Sequence, residues 1–202
     1  MKLVLASGNR GKLDELSDLL SDTGLELTVQ ADLGVDDAEE TGLTFVENAL
    51  IKARHAARAT GRPALADDSG LCVAALDNEP GLYSARYAGR HGDAEANRLR
   101  LLEEMQGVPA GRRQAFFICT LVLLRHAHDP APLIAEGRWH GSILEAERGD
   151  GGFGYDPLFL PDGHEESAAE MSPARKNRLS HRARALACLR GDIDAWLRDH
   201  TA

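Results

Sequence analysis

Apolar residues open the chain as an unbroken run, Leu3-Val4-Leu5-Ala6, and then recur as leucines at 13, 16 and 20. A short continuous run predicts a buried strand, and spacings of three and four predict one face of a helix. Ser7-Gly8-Asn9-Arg10-Gly11 is then the turn between them. A second strand is predicted over Leu25 to Val29, followed by an acidic loop that carries Asp36, Asp37, Glu39 and Glu40. Thr44 with Glu47 three residues on is a capping box. Beyond it Val46, Ala49, Leu50, Ala53 and Ala57 keep one apolar face, so a helix runs over 45–60.

Gly61 and Pro63 end that helix and lead into a strand at Ala64-Leu65-Ala66, which delivers Asp67-Asp68-Ser69-Gly70 to a strand edge or turn. A loop over 77–92 precedes a helix at 94–105, with Leu99, Leu102 and Met105 expected to face the core. The nearly all-apolar Ala115 to Leu124 and the mixed Leu133 to Leu144 flank a turn at Asp129-Pro130. They read as an antiparallel hairpin of the two longest strands, the second with one wet face. Glycines at 149, 151, 152 and 154 make regular structure there entropically costly, so 149–157 is a loop. The final helix is capped by Ser180 and faces the core with Ala183, Leu186 and Leu189, then with Ile193, Trp196 and Leu197 beyond Gly191. Strands alternating with helices in this way indicate an α/β fold.

At 202 residues the length suits one compact domain, and 43% hydrophobic with 27% charged residues excludes intrinsic disorder. A formal net charge of −9 argues against a nucleic-acid polymer as partner, because phosphate backbones are met by basic surfaces. A small polyanion is still admitted, since a few cations and a metal ion gathered at one place outweigh a diffuse surface charge locally. Cys72, Cys119 and Cys188 are far apart and form no C-x-x-C pair, so all three are expected to be buried thiols. No secretory core or membrane-length apolar run occurs, which points to the cytoplasm.

Several polar segments carry chemistry with two readings each. The Ser7 to Lys12 turn is either only a turn or an anion cradle, in which backbone N–H groups and Lys12 face a phosphate. It is not a Walker A loop, which would need glycine where Ala6 stands and Ser or Thr where Leu13 stands. Asp67-Asp68 is either a solvated turn or a pair of hard oxygen donors for Mg²⁺, with Glu39 and Glu40 as a second acidic source. Lys52, Lys176, His181 and Arg182 are either surface cations or the partners of an anionic or carbonyl group. In the first turn of the last helix, His181 and Arg182 oppose the helix dipole, a placement that hints at function. Phe153 is either a loop anchor in the core or a face on which a base stacks, and Asp156 can accept from purine ring N–H groups. His126-x-His128 is most simply part of a hairpin turn.

Together the segments Ser7 to Lys12, Glu39 to Gly42 with Phe45 to Ala53, Ala66 to Leu71, Tyr83 to Tyr87, Gly151 to Pro157 and Lys176 to Arg182 resemble the inosine triphosphate pyrophosphatase family. These are the pyrophosphatases of non-standard purine nucleoside triphosphates that carry the RdgB and Ham1 names. The resemblance runs from Leu3 to about Leu189, and its six blocks occur in order. It implies a long mixed twisted sheet with helices on two lobes around a nucleotide cleft, all within one domain spanning 1–202. The implied activity is hydrolysis of dITP, ITP and XTP to the monophosphate and pyrophosphate, with Mg²⁺ as cofactor and a homodimer as the assembly.

By the same resemblance the triphosphate loop is Ser7, Gly8, Asn9, Arg10, Gly11 and Lys12, with Lys52 near the phosphates. Glu40 and Asp68 are the metal carboxylates and Asp68 the catalytic one. Ser69, Phe153, Gly154, Tyr155, Asp156, Lys176, His181 and Arg182 form the nucleoside pocket. The donors Lys176, His181 and Arg182 suit the acceptor oxygen at position 6 of hypoxanthine and xanthine, where adenine presents an N–H donor. Three other functions fit parts of this pattern: a pyrophosphatase for another base, a phosphomonoesterase, and a non-catalytic sensor of purine nucleotides. Product analysis and a nucleotide panel separate them.

Overall fold

A computed structural model describes residues 2–7, 16, 17, 20 and 24–198. Six strands, β1 (Lys2–Leu5), β2 (Glu26–Val29), β3 (Ala64–Val73), β4 (Gln114–Leu124), β5 (Leu133–Ile143) and β6 (Phe159–Pro161), form one sheet in the order β2-β1-β3-β4-β5-β6. The sheet is mixed, because β1 runs parallel to both β2 and β3 while β6 is antiparallel to β5. The α-helices whose bounds are described are α1 (Phe45–Thr60), α2 (Ala94–Glu104), α3 (Pro173–Leu179) and α4 (His181–Arg198). Parallel neighbours need a crossover, and α1 lies in the chain between β2 and β3. The α/β expectation holds, and β5 shows the anticipated alternation of buried and exposed positions.

Contacts divide the chain into two compact units, Met1–Asp68 with Cys119–Gly137 and Ala185–Ala202, and Ser69–Ile118 with Arg138–Arg184. In the first, Leu3, Leu5, Leu65, Cys119, Leu121 and Leu123 pack with Leu186, Leu189, Ile193 and Trp196 of α4. The leucine-patterned helix anticipated after the first turn lies largely outside the described residues, but Leu16 and Leu20 belong to this same core. A separate cluster buries Ala49, Ala53, Ala56 and Ala57 of α1 against Val4, Ala6, Ala64, Ala66, Val122 and Leu124. These four positions of α1 carry only methyl groups, so the helix can lie close to the strands.

In the second unit Leu71, Val73, Leu101, Met105, Phe117, Trp139 and Phe159 share one core. The buried Arg113 guanidinium serves four backbone carbonyls there, those of Met105, Val108, Ile143 and Leu144. This satisfies acceptors that burial would otherwise leave unpaired.

α1 begins where expected. Thr44 Oγ1 accepts from the Glu47 N–H, and the Glu47 carboxylate accepts in return from the Thr44 hydroxyl and the Leu43 N–H. Gly61, at φ +65°, closes the helix with an N–H bond to the Ala57 carbonyl.

Four expectations are corrected. β3 does not stop before Asp67 but continues through Asp67-Asp68-Ser69-Gly70 to Val73, so these turn-forming residues sit inside a strand. Leu99 of α2 is 52% exposed, and the buried row is Asn97, Leu101 and Met105, spaced four apart; the Asn97 side chain is accommodated because its oxygen accepts from the Ala88 N–H. In α4 it is Ala185, and not Ala183, that is fully buried, and the helix continues through Gly191. Cys188 is exposed, unlike Cys72 and Cys119. A short helix, α3, was not anticipated; Pro173 occupies its first turn, where a missing N–H costs nothing. No helix among the described residues is long and apolar enough to cross a membrane.

The inward row of α2 gives a direct test. Leu101→Ala is expected to destabilise the protein by roughly 2–5 kcal/mol, whereas Leu99→Ala should stay within about 0.5 kcal/mol of wild type. Urea denaturation of both variants measures the difference, and equal effects would refute the assigned face.

Candidate functional site

In β3 successive side chains point to opposite faces. Ala64 and Ala66 belong to the cluster under α1 and Leu65 to the other core, so Asp68 follows the alanines toward α1 and Asp67 faces away. Both carboxylates are buried, at 1% exposure for Asp67 and 8% for Asp68, which rules out the solvated-turn reading. Lys52 lies on α1. Its ammonium is 2.6 Å from Asp68 Oδ1 and 2.9 Å from Glu40 Oε1. Two carboxylates distant in sequence thus converge on one cation within the first unit, and Lys52 is not a surface charge. Glu39, next to Glu40, is exposed.

Burial raises the Asp68 pKa above its ordinary 3.8, and the pull of Lys52 only partly reverses that. For Lys52 burial acts to lower the pKa, but the attraction of Asp68, Asp67 and Glu40 outweighs it, so the ammonium holds its proton more tightly than usual. Among the described residues, two carboxylates here share one monovalent cation. Such a donor set fits Mg²⁺, which takes one or two carboxylates and completes its shell with water and phosphate oxygens. Ser7 ends the β1 segment half-buried, its N–H bonded to the Leu5 carbonyl. Gly8, Asn9, Arg10, Gly11 and Lys12 lie outside the described residues.

A separate constellation stands in the second unit. Asp156, buried at 3% exposure, accepts at Oδ2 from the Phe153 N–H at 2.6 Å and from the Lys176 ammonium at 2.5 Å. The Lys176 nitrogen also sits 4.2 Å from the centre of the Phe153 ring, in cation–π range. Phe153 remains 61% exposed, so it is not a core anchor. One face of its ring carries the ammonium, which leaves the opposite face for a stacking partner. Gly152 has to be glycine: its φ is +72°, and a Cβ there would meet Asp156 Oδ2 at 2.2 Å. With Oδ2 accepting from two donors, Asp156 holds Phe153 and Lys176 in place.

α4 starts as expected, with Ser180 Oγ accepting from the Ala183 N–H. His181 and Arg182 in its first turn are buried, at 6% and 2% exposure, and the His181 ring stacks on Phe117 at 5.0 Å between centroids. Neither side chain is therefore part of a solvated surface. Tyr155 is buried and its hydroxyl donates to the Ser84 carbonyl; burial pushes its pKa far up, so it stays a neutral donor. Ser69 is half-buried in β3.

Arg98 was not singled out from the sequence. It pairs with Glu147 and donates to the Gly154 carbonyl, so it ties the glycine segment at two points. No motif around an exposed-looking helix arginine announces such a role. A cavity of about 220 Å³ beside it is lined by Arg98, Glu147, Phe153 and the neighbouring glycines.

A family model described as the Ham1 family matches residues 3–191. A dITP/XTP pyrophosphatase of Xanthomonas campestris pv. campestris is 63% identical over 193 residues, covering 96% of this chain and 97% of the relative. One of Shigella flexneri is 55% identical over 188 residues, covering 93% and 95%. Among solved structures, a HAM1 protein from Coxiella burnetii superposes with a TM-score of 0.91 at 47% identity, covering 96% of this chain and 99% of that one.

The raised Asp68 pKa has a stability consequence. The folded protein binds this proton more tightly than the unfolded chain, so the group favours folding below 3.8 and loses that contribution as pH rises through the folded value. Asn cannot titrate. In metal-free buffer the melting temperature of Asp68→Asn should therefore gain on wild type as pH goes from 3.8 to neutrality, and a constant or shrinking difference would contradict the burial argument.

Proposed function

The chain belongs to the Ham1 family, and on that footing we propose that it hydrolyses dITP and XTP, with ITP as a related substrate, to the nucleoside monophosphate and pyrophosphate. The observation that carries the proposal is the pair of carboxylates, Asp68 and Glu40, gathered on one half-buried cation, Lys52. Acting on the free nucleotide pool would place the enzyme in the cytoplasm. The homodimer implied by the family resemblance is carried with it, and light scattering should give about twice the 21.8 kDa chain mass.

Glu40 and Asp68 would hold Mg²⁺. When bound, the ion supplies positive charge against the phosphate oxygens and makes a nearby water more acidic. Asp68 Oδ2, the oxygen that Lys52 does not engage, takes the proton of the attacking water. As the water oxygen bonds to the α-phosphorus, the bond to the oxygen bridging the α- and β-phosphates breaks, and pyrophosphate departs with that oxygen. Lys52, and Lys12 from the loop of Ser7 to Lys12, offset the charge gathering on the leaving group, the main electrostatic demand of phosphoryl transfer. Burial serves this task, because charges act more strongly where water is scarce.

For base selection, the purine stacks on the open face of Phe153, with Lys176 held on the opposite face. From there Lys176 fixes the ring and Asp156 and does not reach the base; His181 and Arg182 supply donors toward the 6-oxo group, and Ser69, Gly154, Tyr155 and Asp156 complete the pocket. Facing such donors with the amino group of adenine costs about 1–3 kcal/mol, or roughly 5- to 150-fold in kcat/KM.

Asp68→Asn is expected to lower kcat for dITP by about 10²- to 10⁴-fold with little change in KM, followed by pyrophosphate release in Mg²⁺; near wild-type turnover would overturn the assignment. A panel of dITP, XTP, ITP, dATP and dTTP should rank the first three above the others. Preference for dTTP would indicate a pyrimidine enzyme, phosphate in place of pyrophosphate a phosphomonoesterase, and no product from any nucleotide a sensor.

A further inference from the structure

Glu40 has to reach Lys52 and Asp68 from an irregular loop, and irregular loops do not hold a carboxylate in place by themselves. Something must anchor this one. Upstream, the buried Gln30 amide donates to Asp37 Oδ1 at 2.6 Å, and the His55 ring of α1 lies 2.9 Å from the Asp36 carbonyl. Downstream, the Gly42 N–H donates to Asn48 Oδ1 at 2.8 Å. Asn48 is an uncommon choice at its position, a polar side chain 2% exposed on the alanine-lined part of α1. It stands four residues before Lys52, so the two lie on one face of the helix, one turn apart. Gly42 fits the same contact: a Cβ there would come within 2.7 Å of Asn48 Oδ1 and 2.6 Å of Glu47 Cβ.

We infer that Asn48 is a positioning residue for Glu40, holding the loop through the Gly42 N–H so that the Glu40 carboxylate stands over Lys52 and Asp68. The inference rests on the proposed metal role of Glu40 and deepens it. Asn48 touches neither metal nor substrate. It sets where one of the two metal carboxylates is found, as outer hydrogen bonds commonly do at metal sites. Its acceptor is the atom that matters, because the loop presents a donor.

The test measures Mn²⁺ binding by electron paramagnetic resonance in the nucleotide-free protein, the Mg²⁺ concentration for half-maximal turnover, and the melting temperature. Asn48→Ala should weaken Mn²⁺ binding and raise the Mg²⁺ requirement by roughly 10- to 100-fold, while KM for dITP at saturating Mg²⁺ stays near wild type. Asn48→Asp keeps an oxygen acceptor in the same place and should recover most of both. Thr44→Ala removes the cap of the same helix but leaves the Gly42 bond, and should keep near wild-type Mn²⁺ affinity despite a lower melting temperature. Equal loss in Thr44→Ala and Asn48→Ala would overturn the inference in favour of a purely structural role. Glu40→Gln separates the two proposals. If it weakens Mn²⁺ binding and Asn48→Ala does not, the inference falls and the metal reading stands; if neither variant weakens it, the metal reading falls and the inference with it. Should Asn48→Ala fail to fold, Asn48→Asp with Gly42→Ala decides, the latter pushing on the same tether from the loop side.

Discussion

Everything at the acidic end of the first unit depends on one electrostatic arrangement, the Lys52 ammonium held between Asp68 and Glu40. Taking these charges out of water is costly, and the attraction between them offsets the cost only while the geometry is kept. That requirement explains the surroundings. β3 supplies Asp68 from a stiff strand interior, α1 supplies Lys52 from a capped helix, and the loop that supplies Glu40 is tied down on both sides. Burial keeps the Asp68 carboxyl above its ordinary pKa even with the Lys52 ammonium beside it. Stability alone would favour fewer buried carboxylates; the divalent ion proposed for this site would need them.

The second unit solves a different problem, that of presenting an aromatic face in an otherwise glycine-rich loop. Asp156 gathers a backbone N–H and an ammonium on one oxygen, and the ammonium in turn covers one side of Phe153. Arg98 holds the loop from α2. The ring is thus exposed yet held by neighbours that are themselves fixed, which reduces the ordering cost when something stacks on it.

Much of this was legible in the sequence, and the failures have physical causes. Hydrophobic period and capping chemistry located α1, β4, β5 and the start of α4, because those signals are local. The ending assigned to β3 was wrong because Asp, Ser and Gly favour turns as isolated residues, whereas here Lys52 and the neighbouring strands stabilise the extended form. Leu99 was placed inward on spacing alone, while the actual face is defined by Asn97, a polar residue whose burial depends on the distant Ala88 N–H. Lys52, Glu40 and Asp68 could be named from their blocks, but that they meet is a tertiary fact. Asn48 carried no signal in isolation; it becomes visible only beside Gly42.

The alanine face of α1 sets a limit on how this protein can change. Ala49, Ala53, Ala56 and Ala57 are all buried against the strands, and a reader concerned only with core volume would replace one with valine or leucine. Each added methylene would push the helix outward and carry Lys52 with it, away from a carboxylate now 2.6 Å distant. Helix height and the separation of charges are one variable here. Evolution toward a fatter core would be paid in loss of the charge cluster, so a lineage that keeps the chemistry must keep this helix thin.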